Sequence, residues 1–339
     1  MNKTTDKDYP SKVAEVAAEL LRANSVWVLT HEEPDGDAYG STLGLLHALR
    51  SLDKHARAFS RDPLQRMYSK LPGVSELEHP DTLPDELPDT IAILDNGDFG
   101  RLGEQYASKL IALGVKPGGG GACRIVNIDH HISNTFYGDV NLVCPDCAAA
   151  GVLVHDIVKA LGCKYSKEIA VNLYVALITD TGRFSFSNTN RRALEVAGEL
   201  VELGANPSKV IEDVYYTRTV NQMQLFGRIL STLTAVPELG ALYAWQTQQM
   251  LKETGTSQSD TEGMVDLIRT IGEYPLSIFF KENGTGIKVS MRSKNGFDLA
   301  SFAVSFGGGG HPAAAGFKVE GNLEDAIGQV LQRLGERLA

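Results

Sequence analysis

Over its first two thirds the chain alternates short β-rich runs with longer amphipathic stretches, and few architectures satisfy that alternation. Ser25–Thr30 (SVWVLT) reads as a buried strand, followed by a polar loop and a helix from about Ala38 to Leu52. His55–Phe59, Thr90–Leu94 (TIAIL) and Arg124–Ile128 (RIVNI) read as further strands. Helices are expected over Ala148–Leu161, Lys167–Ile178 and Arg191–Leu203, where apolar residues recur at three- and four-residue spacings. The expected fold class is α/β, with a mainly parallel sheet in the N-terminal part. Gly118–Gly121, ahead of the fourth strand, reads as a surface loop.

After Asn206-Pro207 the character changes. Ser208–Thr232 reads as one long connecting helix. Beyond it come strand-like segments (LYAWQ, LSIFF, IKVSMR), a glycine-rich stretch and a terminal helix from about Leu323. The 339 residues are ample for two domains. The expected division is 10–206 for the first domain, 207–236 for the connector and 237–339 for a smaller α+β domain.

Composition narrows the class of partner. With 43% hydrophobic and 22% charged residues the chain is of ordinary globular make-up. No run of about eighteen apolar residues is present, so no membrane helix is expected. Met1–Pro10 lacks the apolar core of a signal peptide, and a cytoplasmic location is expected. A net charge of −10 argues against a protein that coats long duplex, which needs a basic face. A small anionic substrate is compatible with it, since bound divalent cations reverse the local sign. The four cysteines are too few for a disulfide framework, and Cys144-Pro-Asp-Cys147 has no second pair to complete a zinc site. They read as reduced thiols.

The chemistry lies where acids and histidines meet the ends of elements. The first strand runs into His31-Glu-Glu-Pro-Asp35-Gly-Asp37, the third into Asp95-Asn-Gly-Asp98, and the fourth into Asp129-His130-His131; a later helix carries Thr179-Asp180-Thr-Gly182. In open α/β sheets ligands bind beyond the carboxyl ends of the strands, so these clusters are expected to converge. Asp35 and Asp37 flank a glycine and can leave one turn in different directions, as ligands to two neighbouring ions. Either could equally be an N-cap for the helix that follows. Mixed imidazole and carboxylate ligation favours manganese, zinc or iron over calcium, and manganese where oxygen donors dominate. Two such ions about 3.5–4 Å apart clamp both the attacking and the leaving oxygen of a phosphoryl displacement. His47, His55, His79 and His155 stand beside no carboxylate cluster and read as satisfied core groups.

These motifs, in this order, resemble the DHH phosphoesterases: HxxPDGDAxGS as His31–Ser41, the strand-end Asp95, Asp129-His130-His131, and TDTG as Thr179–Gly182. The C-terminal part is similar to the DHHA1 domain through Glu262-Gly-Met-Val265, Ser290-Met-Arg292-Ser293 and Gly307–Gly316 (GGGGHPAAAG). Within the family the layout is most similar to the nanoRNase and pAp phosphatase group. The resemblance implies an active site in a cleft between the two domains and two divalent cations, manganese by expectation. One cation would be held by His31, Asp35 and Asp95, the other by Asp37, Asp95, His130 and Asp180. Asp129 would orient a histidine, and His131 would donate to a phosphate oxygen. Arg101 stands where the family has an arginine and either faces the phosphate or forms a surface ion pair. Arg292, Ser293, Gly309, Gly310 and His311 would hold the nucleotide; glycines there admit a close backbone approach, and Arg292 offers a forked donor. The implied substrates are short RNA or DNA oligonucleotides, linear dinucleotides or pAp, with a homodimer as the expected assembly. The segment Asp146-Cys-Ala-Ala-Ala departs from the family by lacking Ser or Thr near a helix N-terminus.

Rival readings are discriminated by specific features. A processive exonuclease calls for a longer chain and a more basic channel. A family II pyrophosphatase has a different C-terminal domain from the GGGGH type. Cyclic-dinucleotide phosphodiesterase activity stays open as an alternative, without the sensory and membrane segments of tethered relatives. A catalytically inactive nucleotide-binding module predicts a missing ligand, yet all six ligand positions hold competent residues. A dinucleotide-dependent oxidoreductase would need GxGxxG between a strand and a helix.

Overall fold

The computed structural model describes residues 8–284, 286–294 and 296–338. It divides into two compact units, Met1–Thr217 and Arg218–Ala339. In the first, six strands form one sheet: β1 (Ser25–Thr30), β2 (His55–Phe59), β3 (Leu77–Glu78), β4 (Thr90–Leu94), β5 (Arg124–Asp129) and β6 (Val140–Val143). Their order is β3-β2-β1-β4-β5-β6, and every neighbouring pair is parallel. Among the described residues seven α-helices accompany them: α1 (Tyr9–Arg22), α2 (Gly36–Arg50), α3 (Glu104–Ala112), α4 (Ala150–Leu161), α5 (Lys167–Asp180), α6 (Arg191–Glu202) and α7 (Pro207–Tyr215). The continuous apolar runs of the strands serve two cores. Val26 and Val28 enter the one shared with α1, α2, α4 and α5, while Trp27 and Leu29 enter the one closed by Tyr106 and Leu110 of α3.

This order positions the site. The chain steps outward from β1 to β2 and β3, then returns to the other side of β1 with β4. The crevice beyond β1 and β4 is therefore a topological switch point, where open α/β sheets bind ligands. A close helix pair supports it from below. Gly36, Gly40 and Gly44 of α2 face α5; a Cβ on Gly40 would stand 2.3 Å from the Asn172 carbonyl oxygen, and one on Gly36 would stand 2.4 Å from Thr179. Only glycine permits that approach. It sets the end of α5, with Asp180, beside the start of α2, with Asp35 and Asp37.

The second unit has a sheet of mixed direction: β7 (Thr234–Val236), β8 (Ala241–Gln246), β9 (Leu276–Glu282), β10 (Ile287–Ser293), β11 (Gly309–His311) and β12 (Ala314–Val319). The order is β11-β12-β10-β9-β8-β7, parallel only between β8 and β9. One face packs on α11 (Leu299–Val304) and α12 (Leu323–Leu338), through Phe302 and Val330. The other packs on α8 (Val220–Leu230), α9 (Gln248–Thr254) and α10 (Met264–Arg269), through Phe226, Leu251 and Ile268.

Two expectations are corrected here. The single helix expected over Ser208–Thr232 is α7 and α8, with residues 216–219 between them. The Thr219 side chain accepts the Gln222 N–H at 3.1 Å and so starts a new helix, in keeping with the preference of threonine for caps over helix interiors. The four histidines read as core groups are not all buried. His155 is fully buried against Tyr165 and Glu199, but His55 and His79 are exposed: β2 turns His55 outward, and the His79 ring meets the Ser60 carbonyl at the surface. Among the described residues no helix is long and apolar enough to cross a membrane.

Candidate metal centre and active site

His31 follows β1 directly, Asp95 follows β4, and Asp129 ends β5 with His130 and His131 next in the chain. Asp37 lies in the first turn of α2 and Asp180 closes α5. Their ligand atoms fall into three groups, each within 4.8 Å: His31, Asp35 and Asp95; Asp37, His130 and Asp180; and Asp95, His130 and His131. Asp95 is common to the first and the third. His31 Nε2 stands 3.5 Å from Asp95 Oδ2, and His130 Nε2 stands 3.4 Å from Asp95 Oδ1 and 3.7 Å from both Asp37 and Asp180. Donors each about 2.1 Å from a shared ion stand roughly 3–3.5 Å apart, so these gaps match cation ligation better than direct hydrogen bonding.

The electrostatics agree. Asp95 is buried with Oδ1 lacking a hydrogen-bond partner, an expensive state for a carboxylate oxygen unless a cation meets it. Burial alone would raise Asp95, but the facing imidazoles of His130 and His31 override it and hold the acid well below the usual range. Asp37 is pushed well up, first by burial and then by the Asp95 charge. Asp180 is pushed up to about 7, by burial first and by Asp95 and Asp35 after it. Without an ion Asp37 and Asp180 favour their protonated forms beside an ionised Asp95; divalent cations fit the cluster by replacing those protons. The backbone is strained at the same point, with Asp95 at φ 53°, in the left-handed region that few non-glycine residues occupy.

Asp35 and Asp37 both cap helices while also belonging to the cluster. Asp35 accepts the N–H groups of Asp37 and Ala38 at 3.0 and 3.1 Å and caps α2. Asp37 accepts the N–H groups of Ala150 and Gly151 at 2.6 and 2.9 Å and so caps α4 from a distant part of the chain. The N-cap residue of α4 is Ala149, which has no side-chain donor or acceptor to give. The missing Ser or Thr in that segment is thus replaced by Asp37.

Supporting groups that sequence reasoning did not single out complete the arrangement. Ser41 donates to Asp37 at 2.9 Å, a partner one helical turn away. Asn188 Nδ2 donates to the Asp180 carbonyl, the Asp180 carboxylate and the Ala148 carbonyl at 3.0, 3.3 and 3.1 Å. His31 Nδ1 meets the Glu32 carbonyl at 2.7 Å and His130 Nδ1 meets the Cys147 carbonyl at 3.1 Å, which aims both Nε2 atoms into the cluster. Asp129, fully buried, takes His131 Nδ1 on one oxygen at 2.7 Å and Asn134 Nδ2 on the other at 2.6 Å. Backbone carbonyl partners leave no mark in a sequence. The spacing of Asn134 in DHHISN could have been noticed.

The remaining expected residues are placed less distinctively. Arg101 is exposed on a short 3-10 turn, where its carbonyl accepts the Glu32 N–H at 2.7 Å. In the second unit Arg292 Nε and Nη2 meet the Asp266 carboxylate at 2.8 and 3.3 Å, so its fork is already occupied. Ser293 is buried, with its N–H on the Ala313 carbonyl at 2.9 Å. Gly309 and Gly310 are exposed residues of β11, and the backbone of His311 ends that strand; the His311 side chain lies outside the described residues. The close approach that requires glycine is to β12: a Cβ on Gly308 would meet the Gly316 carbonyl oxygen at 2.3 Å.

A parallel sheet with a carboxylate and imidazole cluster at its switch point, centred on one shared aspartate, defines a hydrolase of the divalent-cation class. Comparison with known proteins agrees. The profile of the DHH family, N-terminal domain, matches residues 25–178, and that of the DHHA1 domain matches residues 242–339. The chain is 33% identical over 95% of its length, and 94% of the other's, to the bifunctional oligoribonuclease and PAP phosphatase NrnA of Thermus thermophilus. It is 28% identical to the protein of the same name from Bacillus subtilis, over 89% and 92% of the two chains. The crystal structure of an exopolyphosphatase-related protein from Bacteroides fragilis superposes with a TM-score of 0.89 at 26% identity, covering 96% of each chain. The chain belongs to the DHH/DHHA1 family of phosphoesterases.

Proposed function

We propose that this enzyme hydrolyses nanoRNA and linear dinucleotides to nucleoside monophosphates and also dephosphorylates pAp. The observation that carries the reading is the position of Asp95, whose one oxygen faces His31 Nε2 at 3.5 Å and whose other faces His130 Nε2 at 3.4 Å. The likeness to relatives named for both activities, over nearly the whole of each chain, supports the substrate class. His31, Asp35 and Asp95 would hold one cation, and Asp37, Asp95, His130 and Asp180 the second, with manganese as the favoured ion. Two cations so held neutralise charge on the phosphate and make water more acidic near neutral pH.

The chain's own residues do the rest. Asp129 keeps the His131 proton on Nδ1, which turns Nε2 toward the phosphate to exchange a proton with one of its oxygens. The same bond argues against His131 as a ligand through Nδ1, although that nitrogen lies 3.6 Å from Asp95. Arg101 lends positive charge to the phosphate from the first unit. Arg292, Ser293, Gly309, Gly310 and His311 grip the part of the nucleotide that does not react. A net charge of −10 disfavours long duplex, and we place the activity in the cytoplasm, supported by four thiols that are all free. The assembly is read as a homodimer.

The test is hydrolysis of a 5′-phosphorylated RNA dinucleotide, an RNA of about 20 nucleotides (longer than a ~16-nucleotide single-module footprint) and pAp. Each is run with manganese, with and without chelator. Metal-dependent release of mononucleotides from the dinucleotide and phosphate from pAp, both faster than attack on the long RNA, is the expected result. Preference for the long RNA, or indifference to chelator, would overturn the reading.

A further inference from the structure

Cys144-Pro-Asp-Cys147 contributes only a backbone carbonyl to the site described above, yet its side chains are arranged for chemistry. The Cys147 N–H donates to the Cys144 carbonyl at 3.0 Å, closing a turn that sets the two Sγ atoms 3.1 Å apart. That is about 1 Å from the ~2.05 Å of a disulfide. Cys147 is half-buried and Cys144 lies behind it at 8% exposure, so the pair is open to a small oxidant only from the Cys147 side. The hydrogen bond from Cys147 brings the Cys144 thiol down to about 7, which favours the nucleophilic form.

The turn is also tied to the metal centre at both ends. The Cys144 N–H donates to the Asp129 carbonyl at 3.0 Å, immediately before His130. The Cys147 carbonyl holds His130 Nδ1, and the helix that begins three residues later donates its first N–H groups to Asp37. Drawing the sulfurs together moves the carbonyl that fixes the His130 ring.

We propose that Cys144 and Cys147 form a reversible thiol-oxidation site for hydroperoxides, and that its closure to a disulfide loosens His130 and weakens cation binding. Cys144 Sγ attacks one peroxide oxygen, the O–O bond breaks, and a sulfenic acid and an alcohol (or water) result. Cys147 Sγ then attacks Cys144 Sγ, expelling the sulfenic oxygen as water. Two thiols lose two electrons, the peroxide gains them, and both thiol protons leave in the oxygen products. A dithiol reductant reverses the change by exchange. The coupling half rests on the cation reading above; the thiol half does not.

The experiment treats chelator-stripped full-length protein with hydrogen peroxide, alkylates it, and maps cysteine peptides by mass spectrometry. Manganese binding is then titrated calorimetrically before treatment, after it, and after dithiothreitol. Expected are a Cys144–Cys147 linked peptide, alkylated Cys123 and Cys163, and manganese affinity lowered about 10-fold, the scale of losing a ligand's outer partner, then restored by reductant. The Cys144→Ser variant, compared with its own untreated sample, should show no peroxide-dependent change in affinity. Cys144 and Cys147 both alkylated after treatment, or carried irreversibly to sulfinic acids, would overturn the site. A linked peptide with unchanged manganese affinity would overturn the coupling. Untreated protein that takes up no manganese would overturn the cation reading and the coupling with it, while the peptide map still decides the thiol half.

Discussion

In the first unit the polar residues of the site stand past the ends of parallel strands; in the second the expected binding residues lie on the strands themselves. The physical consequences differ. At the switch point Asp95, Asp37, Asp180, His31 and His130 crowd one another, with a buried carboxylate oxygen unpaired and two acids pushed up. That arrangement is held in readiness for cations by caps, glycine contacts and carbonyls. In the second unit Arg292 is already satisfied by Asp266, so gripping a phosphate means exchanging one anion for another. The comparison teaches that the two sets of residues are held differently: the first crowds buried acids around a strained Asp95, while the second keeps its arginine in an ion pair.

Substitutions should separate the two regimes by size and by kind. Asp95→Ala removes the residue common to both ligand groups, and kcat is expected to fall at least about 10⁴-fold, on the scale of losing one member of a coupled catalytic set. A steady-state assay with saturating manganese checks it, and a loss under 10-fold would mean that the cluster is not the reaction centre. Asp129→Asn should cost about 10²–10⁴-fold in kcat with little change in KM, because it disturbs the His131 tautomer rather than binding. The pH–rate profile should move as well, which a purely structural defect would not do. Arg292→Ala is expected to raise KM by about 10–100-fold with kcat nearly unchanged, the value of a charge-assisted hydrogen bond. Asp266→Ala should lower KM by freeing the fork, and a rise would break the exchange picture.

Two smaller effects concern stability. Gly40→Ala places a methyl group against the Asn172 carbonyl and should cost about 1–3 kcal/mol in denaturant unfolding. The second effect is pH dependence. Asp180, raised from an ordinary 3.8 to about 7, binds a proton in the folded chain that the unfolded chain has released across that interval. Its contribution is present below 3.8 and is lost as pH rises through about 7; Asp37 acts in the same direction. Asp95 acts the other way, but only below the ordinary carboxylate range. Metal-free protein should therefore lose thermal stability from about pH 4 toward neutrality, and manganese should raise Tm most at the neutral end. A Tm of metal-free protein that climbs steadily over that range would contradict the crowding argument.

The first unit is legible because its central strands β1 and β4 are buried on both faces and its ligands interrupt the strands at their ends. Ser25–Thr30, His55–Phe59 and Thr90–Leu94 are strands with the expected bounds. The short β6, the helix α3 and the N-terminal α1 are absent from the sequence reading: β6 offers only three apolar residues around Asn141, and α3 is only nine residues long. The break between α7 and α8 escaped because Thr217-Arg218-Thr219 contains neither glycine nor proline. At the site, residue types at strand ends revealed the ligands. What aims them did not show: carbonyls of Glu32 and Cys147 have no residue signature, and the capping of α4 by Asp37 spans over a hundred residues. In sequence the glycines of the GGGGH segment suggest room for a ligand; in the structure Gly308 and Gly310 are required at least as much by contact with β12.

The most direct test of the account is the number of ions the first unit holds. Calorimetric titration of chelator-stripped protein with manganese, confirmed by elemental analysis after dialysis, should give two ions per chain in the native protein and fewer in Asp95→Ala. Proton release should be larger in the native titration, since the raised acids must give up their protons. Two ions per chain retained by Asp95→Ala, or no more than one in the native protein, would contradict a cluster organised around Asp95.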